Sequence, residues 1–355
     1  MIAPVHLIYF AIVLAAGLAS LAALQVKGRP GQLLAGLPVV ALVSLAVSWR
    51  DVQLGADTRI YLEMYSHPER FERFVETAYI AALRLLRHFS TDGTFYLFAS
   101  AFAANLIVYL GFARFNPRLA GFAFALYCAS PVFWTVNILI LRNGLAAALI
   151  LHATLILVTA GRRRSFFALA LAGGGFHYSA LGHALFLSAA DLTTARRTAL
   201  SAGVLICTAA ALLLVFPYVS ASAAPWIERF EDYQHYAASG QFAYENASLK
   251  PQHAIPLLVL LGALLQWRRL QNSEKLLLRY YLALLILAAL FWGNVLFRDR
   301  IYLPAQMMEP LFLALFLRRV LREDVLFAVG GFAFFLMLAA GTILIWGPRN
   351  VLQVY

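Results

Sequence analysis

The sequence predicts an all-α polytopic integral membrane protein, and three observations carry that class. Of 355 residues, 62% are apolar or aromatic. Only 13% are charged, about half the roughly 25% a water-soluble domain needs to solvate its surface. The mean hydropathy is +0.76. The remaining charges cluster between apolar runs of about 17 to 22 residues, the length that crosses a hydrocarbon layer roughly 30 Å thick.

About ten transmembrane helices follow from that length rule, at 5–26, 33–49, 94–113, 119–137, 138–160, 198–219, 253–267, 276–296, 301–317 and 325–346. No basic residue precedes the first run and no small-residue cleavage site follows it, so it reads as a retained span. Orientation comes from the loops. One set holds Lys27, Arg29, Arg114, Arg118, Arg162 to Arg164, Arg196, Arg197, Arg268, Arg269, Lys275, Arg318, Arg319 and Arg322, against only Asp191, Glu274, Glu323 and Asp324. The positive-inside rule makes that side cytoplasmic. Both termini then fall outside.

The apolar run 166–190 has to keep Arg162 to Arg164 and the Arg196–Arg197 pair on one side. A hairpin does this and a single crossing does not. Its middle, Gly173-Gly174-Gly175-Phe176-His177-Tyr178-Ser179, suits a broken helix and close backbone approach. Limbs of about a dozen residues reach near 18 Å, too short to cross. A re-entrant hairpin is therefore expected at 166–190, its tip marking a cavity, because non-helical backbone at that depth must be buried in protein or line one.

Chain 1–355 reads as a single transmembrane domain with two long outside loops. Loop 50–93 places Phe71, Phe74, Val75, Ala78, Tyr79, Ala82, Leu85, Leu86 and Phe89 at helical spacing, an amphipathic helix suited to the membrane interface. Loop 220–252 mixes aromatics with charge, including Trp226, Glu228, Arg229, Tyr233, His235 and Tyr236. The net charge of +11 sits in short loops, where it sets orientation, so no nucleic-acid partner is expected. Cys128 and Cys207 lie within apolar runs, which argues against a disulfide framework or thiolate metal site. No metal-ligand spacing and no Gly-rich nucleotide loop are present, so no cofactor is expected.

The residues that could carry chemistry gather on the outside face. Arg142 follows an unbroken apolar stretch and opens a helix, where a cation opposes the macrodipole, so an anion should lie nearby. One reading is an arginine snorkelling to headgroups. The other is a planar guanidinium gripping phosphate. His177 sits at the hairpin tip, able to donate, accept or move a proton near neutral pH. Arg298, Asp299, Arg300 and Tyr302 form a charged turn between spans, suggesting a second anion contact at Arg298 and Arg300. Asp57, Glu76 and the phenol of Tyr61 are the other outside groups of interest, since a glycosyl or acyl transfer needs a base for the acceptor proton. Glu309 lies mid-span, where pairing with Arg279 is the expected bland role.

The ordered segments Arg50 ahead of Gly55-Ala56-Asp57-Thr58-Arg59-Ile60-Tyr61, then Phe74-Val75-Glu76-Thr77-Ala78-Tyr79, Leu141-Arg142-Asn143-Gly144-Leu145-Ala146 and Phe176-His177-Tyr178-Ser179-Ala180-Leu181 resemble the EpsG family of Wzy-like polysaccharide polymerases. Asn143 stands where that family usually has Gln. The resemblance covers about the first 190 residues and, more loosely, Arg298 to Tyr302. It implies an inner-membrane glycosyltransferase with a GT-C-like core, joining undecaprenyl-diphosphate-linked oligosaccharides on the periplasmic side without metal. Membrane lipid, a chain-length regulator and a flippase are the implied partners. Arg142, Arg298 and Arg300 would bind the diphosphate. Tyr61, Tyr233 and Tyr302 would contact the glycan, and His177, then Asp57, then Glu76 would serve as base. An O-antigen ligase, a lipid-phosphosugar glycosyltransferase, a lipid-linked glycan transporter and a membrane acyltransferase are the alternatives. On any of these readings, Arg142→Ala and His177→Ala should remove activity and leave abundance intact.

Overall fold

A computed structural model describes residues 28–50, 57–194, 254–290 and 295–352, with helical residues also at 14, 15 and 17. The expected spans 5–26 and 198–219, loop 220–252 and Tyr233 lie outside or almost wholly outside the described residues. Among those described, all regular structure is helical.

Helix α1 (Arg29–Ser48) starts with Pro30 in its first turn, where the missing N–H costs nothing and φ is preset. Two short elements follow, α2 (Thr58–Ser66) and a 3-10 turn Pro68–Phe71. Helix α3 (Thr77–Arg87) comes next. It is shorter than the expected amphipathic helix because the chain turns at 68–76, and Tyr79, Ile80 and Leu83 are buried against protein. Phe74, Leu85 and Phe89 keep an exposed apolar edge. Helix α4 (Gly93–Phe115) begins at Asp92, whose carboxylate accepts the Thr94 N–H at 3.0 Å, a stabilising N-cap.

The expected straight span 119–137 is broken. Helix α5 (Ala120–Ala129) stops at Ser130, and a short helix α6 (Pro131–Trp134) runs on as one π-turn, Thr135–Leu139. The two halves bend by 77°. Proline is the cause: it removes the N–H of residue 131 and holds Ser130 extended, at φ −93° and ψ 155°.

Helix α7 (Leu141–Ala160) is the buried centre, packed on α4, on the π-turn and on α8 (Arg163–Phe176). It ends at Gly161 with φ 62°, the left-handed C-cap that glycine adopts without penalty. Helix α9 (Ser179–Thr194) packs back on α8. At 1.5 Å per residue these two limbs are roughly 21 and 24 Å long. The three glycines do not break the helix as expected: they lie inside α8, and the break falls at His177–Tyr178. They supply close approach instead. A Cβ on Gly173 would sit 3.1 Å from Ala180 Cβ and 3.3 Å from the Ala146 carbonyl, and one on Gly175 would sit 2.8 Å from Ala78 Cβ.

Three further long helices and one short one complete the described residues: α10 (Ala254–Gln266), α11 (Asn272–Leu290), α12 (Val295–Val320) and α13 (Asp324–Leu352). The charged segment 298–302 belongs to the start of α12, not to a turn. No glycine or proline interrupts residues 295–303, so the helix extends past the apolar run. Among the described residues four helices are long and apolar enough to cross a membrane, or five if the bent pair α5–π-turn is one span. Helix α10 is only 13 residues long, and α11 carries Glu274, Lys275 and Arg279.

Gly144 fixes how tightly α7 meets the π-turn. A Cβ there would fall 2.6 Å from Val136 Cγ1 and 3.0 Å from the Val136 carbonyl oxygen. Gly144→Ala should therefore push the π-turn away and cost about 1–3 kcal/mol, as overpacking does. A thermal melt of the detergent-solubilised protein checks this. A melt unchanged from wild type would mean that the contact is not rigid.

Candidate functional site

Four elements bring charged and phenolic groups together: the start of α2, the start of α3, the start of α7 and the α8–α9 corner. Arg142 lies in the first turn of α7, where the helix dipole disfavours a cation. The anion that its position calls for is Glu76. Arg142 Nη1 donates to Glu76 Oε2 at 2.6 Å, and Glu76 is only 4% exposed. Glu76 stands at the N-cap of α3 but makes no side-chain capping bond, so its carboxylate serves the arginine. The Arg142 guanidinium also sits 5.9 Å from the Tyr79 ring centroid, within cation–π range. Its Nε is buried with no hydrogen-bond partner among the described residues.

Asp57 is the N-cap residue of α2 and likewise makes no side-chain capping bond. Burial raises its carboxyl above the usual range, while the cations of Arg300 and Arg142 pull it down. Asp57 therefore lies within electrostatic reach of both arginines. Tyr61, one turn along α2, is buried and feels the same Asp57, Arg142 and Arg300 charges. Behind it the phenols of Tyr79 and Tyr96 hydrogen-bond each other, and Tyr65 stacks on Tyr96 with centroids 4.7 Å apart.

His177 joins through a short chain of contacts. Its Nδ1 accepts the Ser179 backbone N–H at 3.2 Å and lies 2.8 Å from Ser179 Oγ. Ser179 Oγ is in turn 3.0 Å from Asn143 Oδ1, beside Arg142 in sequence. A backbone N–H only donates, so Nδ1 is the lone-pair nitrogen and the neutral ring carries its proton on Nε2. Asn143 Nδ2 is buried without a partner among the described residues. The two ends of an amide are interchangeable in shape. With them exchanged, Nδ2 donates to Ser179 Oγ and the serine hydroxyl donates to Nδ1.

The remaining expected site residues divide. Arg300 faces the Asp57–Tyr61 group through its charge. Arg298 is buried and pairs with Asp299 at 2.9 Å. The Tyr302 hydroxyl donates to Glu309 inside the core. Glu309 also accepts from Tyr281 at 3.0 Å. It does not pair with Arg279, which is exposed on α11; phenols within the core reach the carboxylate where an outward-facing arginine cannot.

Arg50 was no part of the expected site. It follows α1, and its Nε donates to Thr58 Oγ1 at 3.3 Å, beside Asp57. Nη1 donates to the carbonyls of Val47 at 3.0 Å and Asn137 at 2.8 Å. Burial lowers this guanidinium to about 10, so it stays charged at neutral pH. Its signal in the sequence was a lone base directly after the apolar run 33–49.

The family model described as the EpsG family matches residues 34–346. Neither a curated protein nor a solved structure matches the chain.

Proposed function

Since this chain belongs to the EpsG family, a Wzy-like polysaccharide polymerase family, we propose that it joins undecaprenyl-diphosphate-linked oligosaccharide repeats into a surface polysaccharide at the periplasmic face of the inner membrane. The observation that carries this reading is the convergence of Arg142, Glu76, Asp57 and Arg300 at one corner of the helical bundle. That corner offers fixed cations for a diphosphate and a carboxyl for a proton. The wider reading includes about ten crossings, a re-entrant α8–α9 hairpin, a GT-C-like core and periplasmic termini.

In this chemistry the acceptor hydroxyl attacks the anomeric carbon of the lipid-linked glycan. The bond from that carbon to the diphosphate oxygen breaks, and the electron pair leaves with the diphosphate. Arg142 and Arg300 stabilise the charge that develops there, the term that usually contributes most to such catalysis. Asp57 takes the acceptor proton. It is preferred over Glu76, whose carboxylate is held by Arg142, and over His177, whose lone-pair nitrogen already accepts the Ser179 N–H. His177 acts in this scheme as a donor from Nε2. Tyr61 lies at the glycan side of the corner.

The test is the length distribution of the glycan in a host lacking the protein, complemented at matched membrane levels. Wild type should restore a ladder, and His177→Ala should leave single lipid-linked repeats. Repeats that never reach the periplasm would assign transport. A single repeat moved intact to a new lipid acceptor would assign ligation.

A further inference from the structure

Among the described residues five arginines hold a buried side-chain nitrogen without a hydrogen-bond partner, and two of them, Arg50 and Arg114, have no carboxylate beside them. Arg142 has Glu76, Arg298 has Asp299 and Arg319 has Glu274. Arg50 has no acidic partner among the described residues, and its Nη2 is buried without any hydrogen-bond partner among them. A buried charge held only by neutral acceptors is costly, because carbonyl and hydroxyl dipoles replace water incompletely. Such a cation is explained if an anion completes its shell during function.

Its fixing is specific. Nη1 is held by the Asn137 carbonyl, which lies in the π-turn Thr135–Leu139. π-turns inside helices occur frequently at functional sites because they re-aim backbone groups. Asn137 is itself locked. Its amide exchanges hydrogen bonds with Asn105 at 3.0 and 3.2 Å, and Asn105 donates on to Ser44 Oγ at 3.0 Å. A buried network of three polar side chains across α1, α4 and the π-turn thus orients one guanidinium. Nε is turned to Thr58, the neighbour of Asp57, and the charge of Arg50 is felt at Tyr61 and Tyr96. The charge of Arg142 is felt at the same two phenols. Both cations therefore border one phenolic group, each with a buried N–H left without a partner among the described residues.

We propose that Arg50 is a second fixed anion contact of the site, acting with Arg142 so that the pair spans the two phosphates of a lipid diphosphate. This rests on the diphosphate reading above and adds to it a residue and a selectivity, diphosphate over monophosphate. Two planar guanidiniums suit two phosphates better than one does, since each offers a paired donor fork.

The test is binding of farnesyl diphosphate and farnesyl monophosphate to the full chain in detergent, for wild type, Arg50→Gln and Arg50→Lys. Wild type should prefer the diphosphate. Arg50→Gln should weaken diphosphate binding about tenfold or more, the effect of losing one charged hydrogen bond, and change monophosphate binding much less. Arg50→Lys keeps the charge and a donor for Asn137, so it tests the idea even if the glutamine variant fails to fold. It should lose part of the selectivity. If both variants keep wild-type selectivity, or lose both ligands equally, the assignment of Arg50 is wrong and the polymerase reading stands. If wild type binds neither lipid phosphate, both fail together.

Discussion

Arg142→Ala abolishes the glycan ladder and also lowers the amount of protein in the membrane, whereas Arg142→Ala combined with Glu76→Gln restores the amount and not the ladder. The pair geometry requires both halves of this result. Removing the arginine leaves Glu76, 4% exposed, as a buried carboxylate without its counter-ion, which costs about 3–5 kcal/mol. Neutralising Glu76 removes that penalty. Activity does not return, because losing one fixed donor to the developing charge costs about 100- to 1,000-fold. The sequence alone suggested that Arg142→Ala would leave abundance intact, since Glu76 lies 66 positions away and nothing in the intervening pattern links them. Immunoblots of membranes beside the ladder check the prediction. Full abundance in the single variant would show that the pair does not support the fold, and a ladder in the double variant would remove Arg142 from the chemistry.

Asp57→Asn has the opposite signature, lost activity with gained stability. If Asp57 takes the acceptor proton, the amide variant should fall by about 100- to 10,000-fold, the usual contribution of a positioned base. The stability effect follows from burial, which raises the carboxyl above its usual range despite Arg300 and Arg142. The folded state then binds this proton more tightly than the unfolded chain. Its contribution favours folding at acid pH and is lost as pH rises through the folded value. At neutral pH the ionised carboxylate costs stability, so Asp57→Asn should melt a few degrees higher there, and the two proteins should converge as pH falls. The same shift puts the acid limb of the wild-type rate profile above the ordinary carboxylate range, with activity rising as pH rises through it. Melting curves across pH, read with polymerisation rates, check both. A variant that melts lower than wild type at neutral pH would mean that Asp57 stabilises the fold.

The helical class was legible because apolar composition and loop charge report directly on a membrane environment. Arg142 was legible for a local reason: a cation in a first helical turn is unfavourable, so the sequence demanded an anion without naming Glu76. Local signals misled where packing decides. The glycine run 173–175 reads as a helix breaker, yet α8 continues through it, because each missing side chain makes room for a neighbour from another helix. The 298–302 segment reads as a turn by charge, but nothing in it stops a helix. Arg50 heads the segments that resemble the family but carried no site role in the sequence reading. Its role rests on Asn137 and Thr58, 87 and 8 positions away, and on a π-turn that no sequence period announces.

The most direct measurement is stoichiometric. The purified protein, reconstituted in liposomes with a lipid-diphosphate-linked oligosaccharide, is followed for lipid diphosphate released and glycosidic bonds formed, without added nucleotide. One diphosphate released for each repeat joined, with both lost in Asp57→Asn and in Arg142→Ala/Glu76→Gln, is the expected result. Glycan that lengthens without diphosphate release, or a lipid-linked repeat that crosses the bilayer unchanged, would contradict the account.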